Sequence, residues 1–153
     1  MPGLNAILDL TSTIGAIERS LADGTIAKKP LEENSSKIVE MNRTQLYDFG
    51  INRLGIEIAT YAPYAPYTIK VKREKGQPFD RVTLKDTGAF YRSFEVIFDP
   101  TGFYITASDA KTQDLMEKYG SEIFGLTSEN LDLLIQGDVK TSIIQQIRKE
   151  LFG

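Results

Sequence analysis

Phe94-Glu95-Val96-Ile97-Phe98-Asp99-Pro100-Thr101-Gly102-Phe103-Tyr104-Ile105-Thr106-Ala107 is the stretch whose reading settles the architecture. Two runs of β-branched and aromatic residues flank Asp99-Pro100-Thr101-Gly102, four turn formers in a row, so the spacing predicts an antiparallel hairpin. Helical periodicity lies on both sides of it. Upstream, Leu4, Ile7, Leu8, Ile14, Ile17 and Leu21 recur at three- and four-residue steps, which describes an amphipathic helix ending near Gly24. Downstream, stripes at 111–119, 127–136 and 138–151 read as helices, the second opened by Thr127-Ser128-Glu129-Asn130 in the manner of an N-cap. The class expected is α+β: a small antiparallel sheet with a central hairpin, flanked by N-terminal and C-terminal helices. Residues 1–24 form the N-terminal helix and residues 25–153 a single α+β domain. The helix is compatible with packing on that domain or with reaching a neighbouring subunit.

Between the first helix and the hairpin, Leu31, Ile38, Met41, Gln45, Leu46 and Phe49 fit a second helical stripe, stopped by Gly50. Residues 55–61 alternate apolar and polar and predict a short strand. Tyr61-Ala62-Pro63-Tyr64-Ala65-Pro66-Tyr67 repeats Tyr-Ala-Pro and closes on a tyrosine. Each proline fixes its own φ and biases the preceding alanine to extended geometry, so the repeat is a stiff aromatic loop. Tyrosines on such a loop can bind a partner or fold back over a core edge, and the sequence leaves both open. Residues 68–75 read best as a short helix before Gly76.

Composition narrows the chemistry. The 153 residues are 41% hydrophobic and 25% charged, values of an ordinary globular domain, and they include no Cys, His or Trp. Disulfides, thiolate nucleophiles, Ser-His-Asp triads and imidazole- or sulfur-based metal sites are thereby excluded. No Gly-rich phosphate loop and no Gly-x-Ser-x-Gly elbow is present, and no cofactor is implied. The N-terminus lacks a basic stretch, and Asp9, Glu18 and Arg19 interrupt its apolar pattern. Neither a secretory signal nor a membrane span is expected, and the chain reads as made and kept in a cytosol.

A net charge of −3 is too near neutral to imply a nucleic-acid or membrane partner for the whole chain, and direct nucleic-acid binding is not expected. The charge is unevenly spread, however. Residues 67–92 carry seven basic against three acidic side chains, and residues 93–153 carry five against ten. Opposite surfaces of this kind suit a self-associating subunit, and scattered solvated charge explains them equally. On this reading Tyr61, Tyr64, Tyr67, Lys70, Lys72, Arg73 and Lys75 are the candidate interface residues.

Leu84-Lys85-Asp86-Thr87-Gly88-Ala89-Phe90-Tyr91-Arg92-Ser93 leads into the hairpin. Physically, Thr87 can cap, Gly88 lets the chain turn, and Phe90 drives the next turn into the core. With Leu84, Thr87, Gly88, Phe90 and Ser93 in place, the stretch resembles the Leu-x-x-Thr-Gly-x-Leu-x-x-Ser segment of small morphogenesis and tail-completion proteins of tailed bacteriophages. Phe90 stands where those proteins usually have Leu or Ile. A looser likeness runs from Gln45 to Leu126, about half the chain. The resemblance implies a non-enzymatic virion protein of the head–tail connector type, localised to the virion and to the host cytoplasm during assembly. Its implied partners are itself, as a ring or other homo-oligomer, and other connector or tail proteins.

A different class of reading is a Mg²⁺-dependent nuclease of the restriction-endonuclease type. Asp99 ends the first strand and Asp109-Ala110-Lys111 follows the second, so two carboxylates could hold the cation while a lysine orients water. Turn chemistry already accounts for Asp99, and a helix start for Asp109.

Overall fold

Leu, Ile and small residues carry the first helix, α1 (Pro2–Ala22), past an interior Gly15 to the Asp23-Gly24 stop, where Gly24 takes φ 77°. In the computed structural model, which describes residues 2–153, a 3₁₀ turn at Thr25–Ala27 follows, then α2 (Lys28–Glu33), α3 (Ser35–Thr44), α4 (Pro66–Glu74), α5 (Ala89–Arg92), β1 (Phe94–Asp99), β2 (Gly102–Ala107), α6 (Thr112–Tyr119), α7 (Ser128–Leu134) and α8 (Lys140–Phe152). The fold is α+β, mostly helical, with one two-stranded antiparallel sheet among the described residues. Two compact units result: residues 1–34 with 132–153, and residues 35–131. The helix expected over 1–24 lies in the first unit, where α1 meets α8 and Ile17, Ile26, Leu134 and Val139 are buried. Hairpin and Leu84–Ser93 segment lie in the second.

The hairpin pairs Phe94 with Ala107 at its base and Asp99 with Gly102 at its turn, as the sequence predicts. A lone hairpin is marginal in water and needs a packed face. That face is Phe94, whose ring lies edge-on to Phe90 at 4.9 Å and to Phe124 at 5.3 Å, with α3 packed against β1. The helices expected at the C-terminal end are present. Thr127 does cap α7, its hydroxyl accepting the Asn130 N–H at 3.2 Å, and a π-helical turn at Ile135–Val139 carries α7 into α8.

Two local expectations are corrected. The helix predicted over 31–49 is broken at Asn34, whose side-chain amide donates to the Pro30 carbonyl at 2.7 Å and closes α2 before α3 begins. Further on, a π-helical turn at Gln45–Phe49 adds a residue to the last turn, so Phe49 leaves the apolar phase and is exposed. The strand predicted over 55–61 is also absent. The Asn52 carboxamide oxygen takes the Leu54 and Ile56 N–H groups at 3.0 and 3.1 Å, leaving a single bridge between Ile51 and Glu57 before a 3₁₀ turn at Ile58–Thr60. Gly50 ends the preceding helical turn as expected, at φ 60°. A Cβ there would lie 2.9 Å from the Arg81 Cβ, so close approach as well as backbone angle requires glycine.

After a 3₁₀ turn at Ser121–Ile123, residues 124–127 cross the second unit as irregular chain, and two buried amides satisfy backbone groups along 123–127. Asn42 donates to the Ile123 carbonyl and accepts from the Gly125 N–H, both at 3.0 Å. Gln45 donates to the Gly125 carbonyl at 3.0 Å and accepts from Thr127 N–H and the Asn130 amide at 2.9 and 2.6 Å. These side chains do the work of an adjacent strand. Asn42→Ala should therefore cost about 2–4 kcal/mol, because it leaves a buried N–H and a buried carbonyl unpaired. Urea denaturation checks this as a lowered midpoint with an unchanged slope.

Candidate functional site

Thr83 and Leu84, both buried, lead into the Leu84–Ser93 segment with no strand beside them. Thr83 N–H donates to the Tyr64 hydroxyl at 3.0 Å, and the Thr83 carbonyl accepts from the Tyr91 hydroxyl. Two residues on, the Lys85 carbonyl accepts from the Lys72 ammonium at 2.9 Å. Between these ties Leu84 sits at φ 58°, a left-handed conformation uncommon for a residue with a branched side chain. Burial of its side chain and the clamps on either side hold it there.

Each remaining motif residue is engaged within the chain. Thr87 accepts the Ala89 N–H at 3.3 Å, and Gly88 turns the backbone at φ 86° into α5. Phe90 is buried among Tyr91, Phe94 and Phe124. The Ser93 hydroxyl donates to the Phe90 carbonyl at 2.8 Å and accepts the Asp109 N–H at 3.1 Å, so it fastens the end of α5 to the exit of the hairpin. Arg43, from α3, donates twice to the Tyr91 carbonyl, at 2.9 and 2.6 Å.

Two clefts adjoin the segment. One, of about 450 Å³, is lined by Glu40, Arg43, Tyr47, Asp48, Lys85 and Arg92, among others. The Lys85 ammonium there lies over the Tyr47 and Tyr91 rings at 4.8 and 5.7 Å. The second, of about 200 Å³, is lined by Leu84, Phe90, Leu115 and Tyr119 together with Lys72, Asp86, Asp109 and Lys111, among others. Acidic and basic side chains mix in both clefts, and the second adds an apolar wall of Leu84, Phe90 and Leu115.

The candidate interface residues divide. Tyr64 faces inward through its bonds to Thr83, and Lys72 is only 7% exposed, its ammonium 5.0 Å from the Tyr64 ring centre. Tyr61 spends its hydroxyl on the Tyr119 carbonyl at 2.7 Å but leaves its ring about half exposed. Tyr67 is 76% exposed, and Lys70 and Arg73 are exposed, with the Arg73 guanidinium 4.8 Å from the Phe79 ring centre. Lys75 pairs with Asp86 at 3.0 Å, and hydrogen bonds from Lys75 and then Gln77 hold the Asp86 carboxyl below its usual range. The repeat of Tyr-Ala-Pro thus does both things the sequence leaves open. Residues 66–74 are helical as expected, with Pro66 at the first position of α4.

Asp99, Asp109 and Lys111 are not gathered at one point. Asp99 is at the hairpin turn, where the Thr101 hydroxyl and N–H bind its carboxylate at 2.6 and 2.8 Å and hold it below its usual range. Asp109 follows the hairpin base, where it accepts the Lys111 N–H at 2.9 Å. From Gly102 to Ala107 the strand alone spans about 17 Å, whereas two carboxylates on one cation need oxygens within about 5 Å. Among the described residues, no group of three or more acidic side chains could hold a metal ion.

Sequence reasoning missed Asn42, Arg43 and Thr83 and gave Gln45 no role. The available signal was a glutamine on an otherwise apolar stripe.

The segment and its clamp yield three predictions. Phe90→Ala should lower stability by ~3–5 kcal/mol, read as a large fall in melting temperature. Tyr91→Phe should cost about 1–3 kcal/mol, since the buried Thr83 carbonyl loses its donor. Burial, with Tyr64 and Tyr47 adding to it, pushes the Tyr91 phenol far above its ordinary value. A raised folded pKa means the unfolded chain gives up this proton first. The contribution is complete below about pH 10 and falls as pH rises above it. Tyr91→Phe should therefore flatten the alkaline loss of stability, measured by urea titrations between about pH 9 and 11.

No protein-family model matches this chain, and neither a curated protein nor a solved structure matches it.

Proposed function

We propose that the chain is a non-enzymatic structural protein of a tailed-phage virion, acting at the head–tail junction or in tail completion by ring-type self-association. One observation carries this reading. Each motif residue of the Leu84–Ser93 segment is spent on the fold: Leu84 and Phe90 in packing, Thr87 and Ser93 in backbone bonds, Gly88 in the turn. A segment that resembles one from assembly proteins is here a scaffold element that sets the hairpin on the core. Copies of the same chain and other connector or tail proteins are the partners this reading assigns, in the virion and in host cytoplasm during assembly.

Tyr67, Lys70 and Arg73 form the outward part of the aromatic and basic surface. Acidic side chains from the 93–153 stretch of a neighbouring subunit are its natural counterpart, since opposite potentials set register and encounter rate. No described helix is long and apolar enough to cross a membrane.

Light scattering on the purified protein, with electron microscopy of the same fractions, tests the proposal. Closed rings are expected, and the share of protein in them should fall as salt rises to physiological strength, where exposed charges are screened within roughly 8 Å. A monomer at every concentration and salt tried would overturn it.

A further inference from the structure

Ile7, Leu10, Ile14, Ile17 and Leu21 follow one another at steps of three, four, three and four along α1, the spacing of a helix–helix seam. Only Ile17 is buried; Ile7 is 62% exposed, and Leu10, Ile14 and Leu21 are each more than 40% exposed. Leu4 and Leu8 extend the apolar surface, and every residue from Gly3 to Leu10 is exposed. At 100° per residue, the arc from Leu10 through Ile7 to Leu8 covers about 160° over the first turns of the helix, wider than the stripe of roughly 100° that one core face occupies; Thr11 lies within it, and Gly15 and Glu18 share its azimuth further along. The six exposed side chains together leave open the surface of about three whole leucines, within the range at which apolar patches mark a protein contact.

The chemistry of the face selects its occupant. Asp9 is the one charged residue between Pro2 and Ile17, and it lies on the opposite side of the helix. The positions flanking the seam are Ala6, Thr11, Thr13, Glu18 and Ser20, mostly small and neutral. Two copies of such a face meet without the like-charge repulsion that forbids most surfaces from pairing with themselves. The width supplies the second condition. A subunit in a closed ring touches two neighbours, and cyclic symmetry keeps equivalent helices parallel.

We infer that the exposed apolar face of α1 seats against the α1 helices of neighbouring copies, the helices lying parallel around the axis of the assembly. This rests on the self-association proposed above and adds to it a contact that is apolar, so raised salt should not weaken it.

The chain has no cysteine, so a single introduced thiol reports one position without background. In parallel pairing, equivalent seam positions meet. Full-length Ile7→Cys should then form a disulfide dimer about tenfold or more faster than Asp9→Cys on the far side, because the seam raises the local thiol concentration. Ile7→Glu combined with Ile14→Glu should reduce the mass seen by light scattering to that of the monomer, with helix content unchanged, as befits exposed positions. Equal rates for the two cysteine variants would overturn the inference, as would a double glutamate variant that keeps the wild-type mass. If wild type forms rings and the double variant forms them too, this inference falls while the proposed function stands. If wild type is monomeric throughout, self-association itself is lost and both fall. Binding of α1 to a different protein or to lipid vesicles, with slow Ile7→Cys dimerisation, counts against the inference in the same way.

Discussion

A two-stranded sheet offers few backbone partners, and the second unit must nevertheless bury chain on both sides of it. This constraint governs the fold. An N–H or carbonyl left unpaired in the interior costs on the order of 1–3 kcal/mol, and residues 83–85 and 123–127 would leave several. Side chains supply what missing strands would have. Tyr64, Tyr91 and Lys72 close the first run, and Asn42 and Gln45 close the second. The two sets share the aromatic cluster, because Tyr91 packs on Phe90 and Phe94, and Phe124 follows directly on the Ile123 carbonyl that Asn42 binds.

That arrangement explains where the sequence was readable. The hairpin register follows from Asp99-Pro100-Thr101-Gly102, and α1 and the C-terminal helices follow from apolar spacing, because each depends on contacts close in sequence. The errors at 31–49 and 55–61 have the same local cause. Asn34 and Asn52 each spend a side-chain amide on neighbouring backbone, competing with helix and strand over a few residues. Periodicity does not register such bonds. Asn42 and Gln45 were out of reach for another reason: their partners lie about 80 residues away, and a polar residue on a helix gives no sign of which distant loop it will satisfy.

The motif was legible as a turn into the core, since Thr87, Gly88 and Phe90 act locally. Its clamp was not. Lys72 sits in a run of basic residues and reads as solvated charge, yet α4 turns it inward to the Lys85 carbonyl while Lys70 and Arg73 stay outside. Burying an ammonium is costly unless its donors are used. Here the carbonyl and the face of the Tyr64 ring provide the compensation.

The two units therefore treat aromatic and aliphatic side chains differently. In the second unit Tyr64, Phe90, Tyr91, Phe94 and Phe124 are committed to internal packing and backbone bonds, and Tyr67 is the tyrosine of the repeat with most surface left over. In the first unit the aliphatics of α1 exceed what α8 and the adjoining turn bury, and Ile17 alone of its seam is covered. Stability of an isolated chain gives no reason to keep four more large side chains at seam positions in water, because polar residues there would hold the helix equally well. Their retention at three- and four-residue spacing is understandable when the helix is considered as half of an interface. The polar ties of the second unit then give each copy a fixed shape before assembly, so less freedom is lost when copies meet.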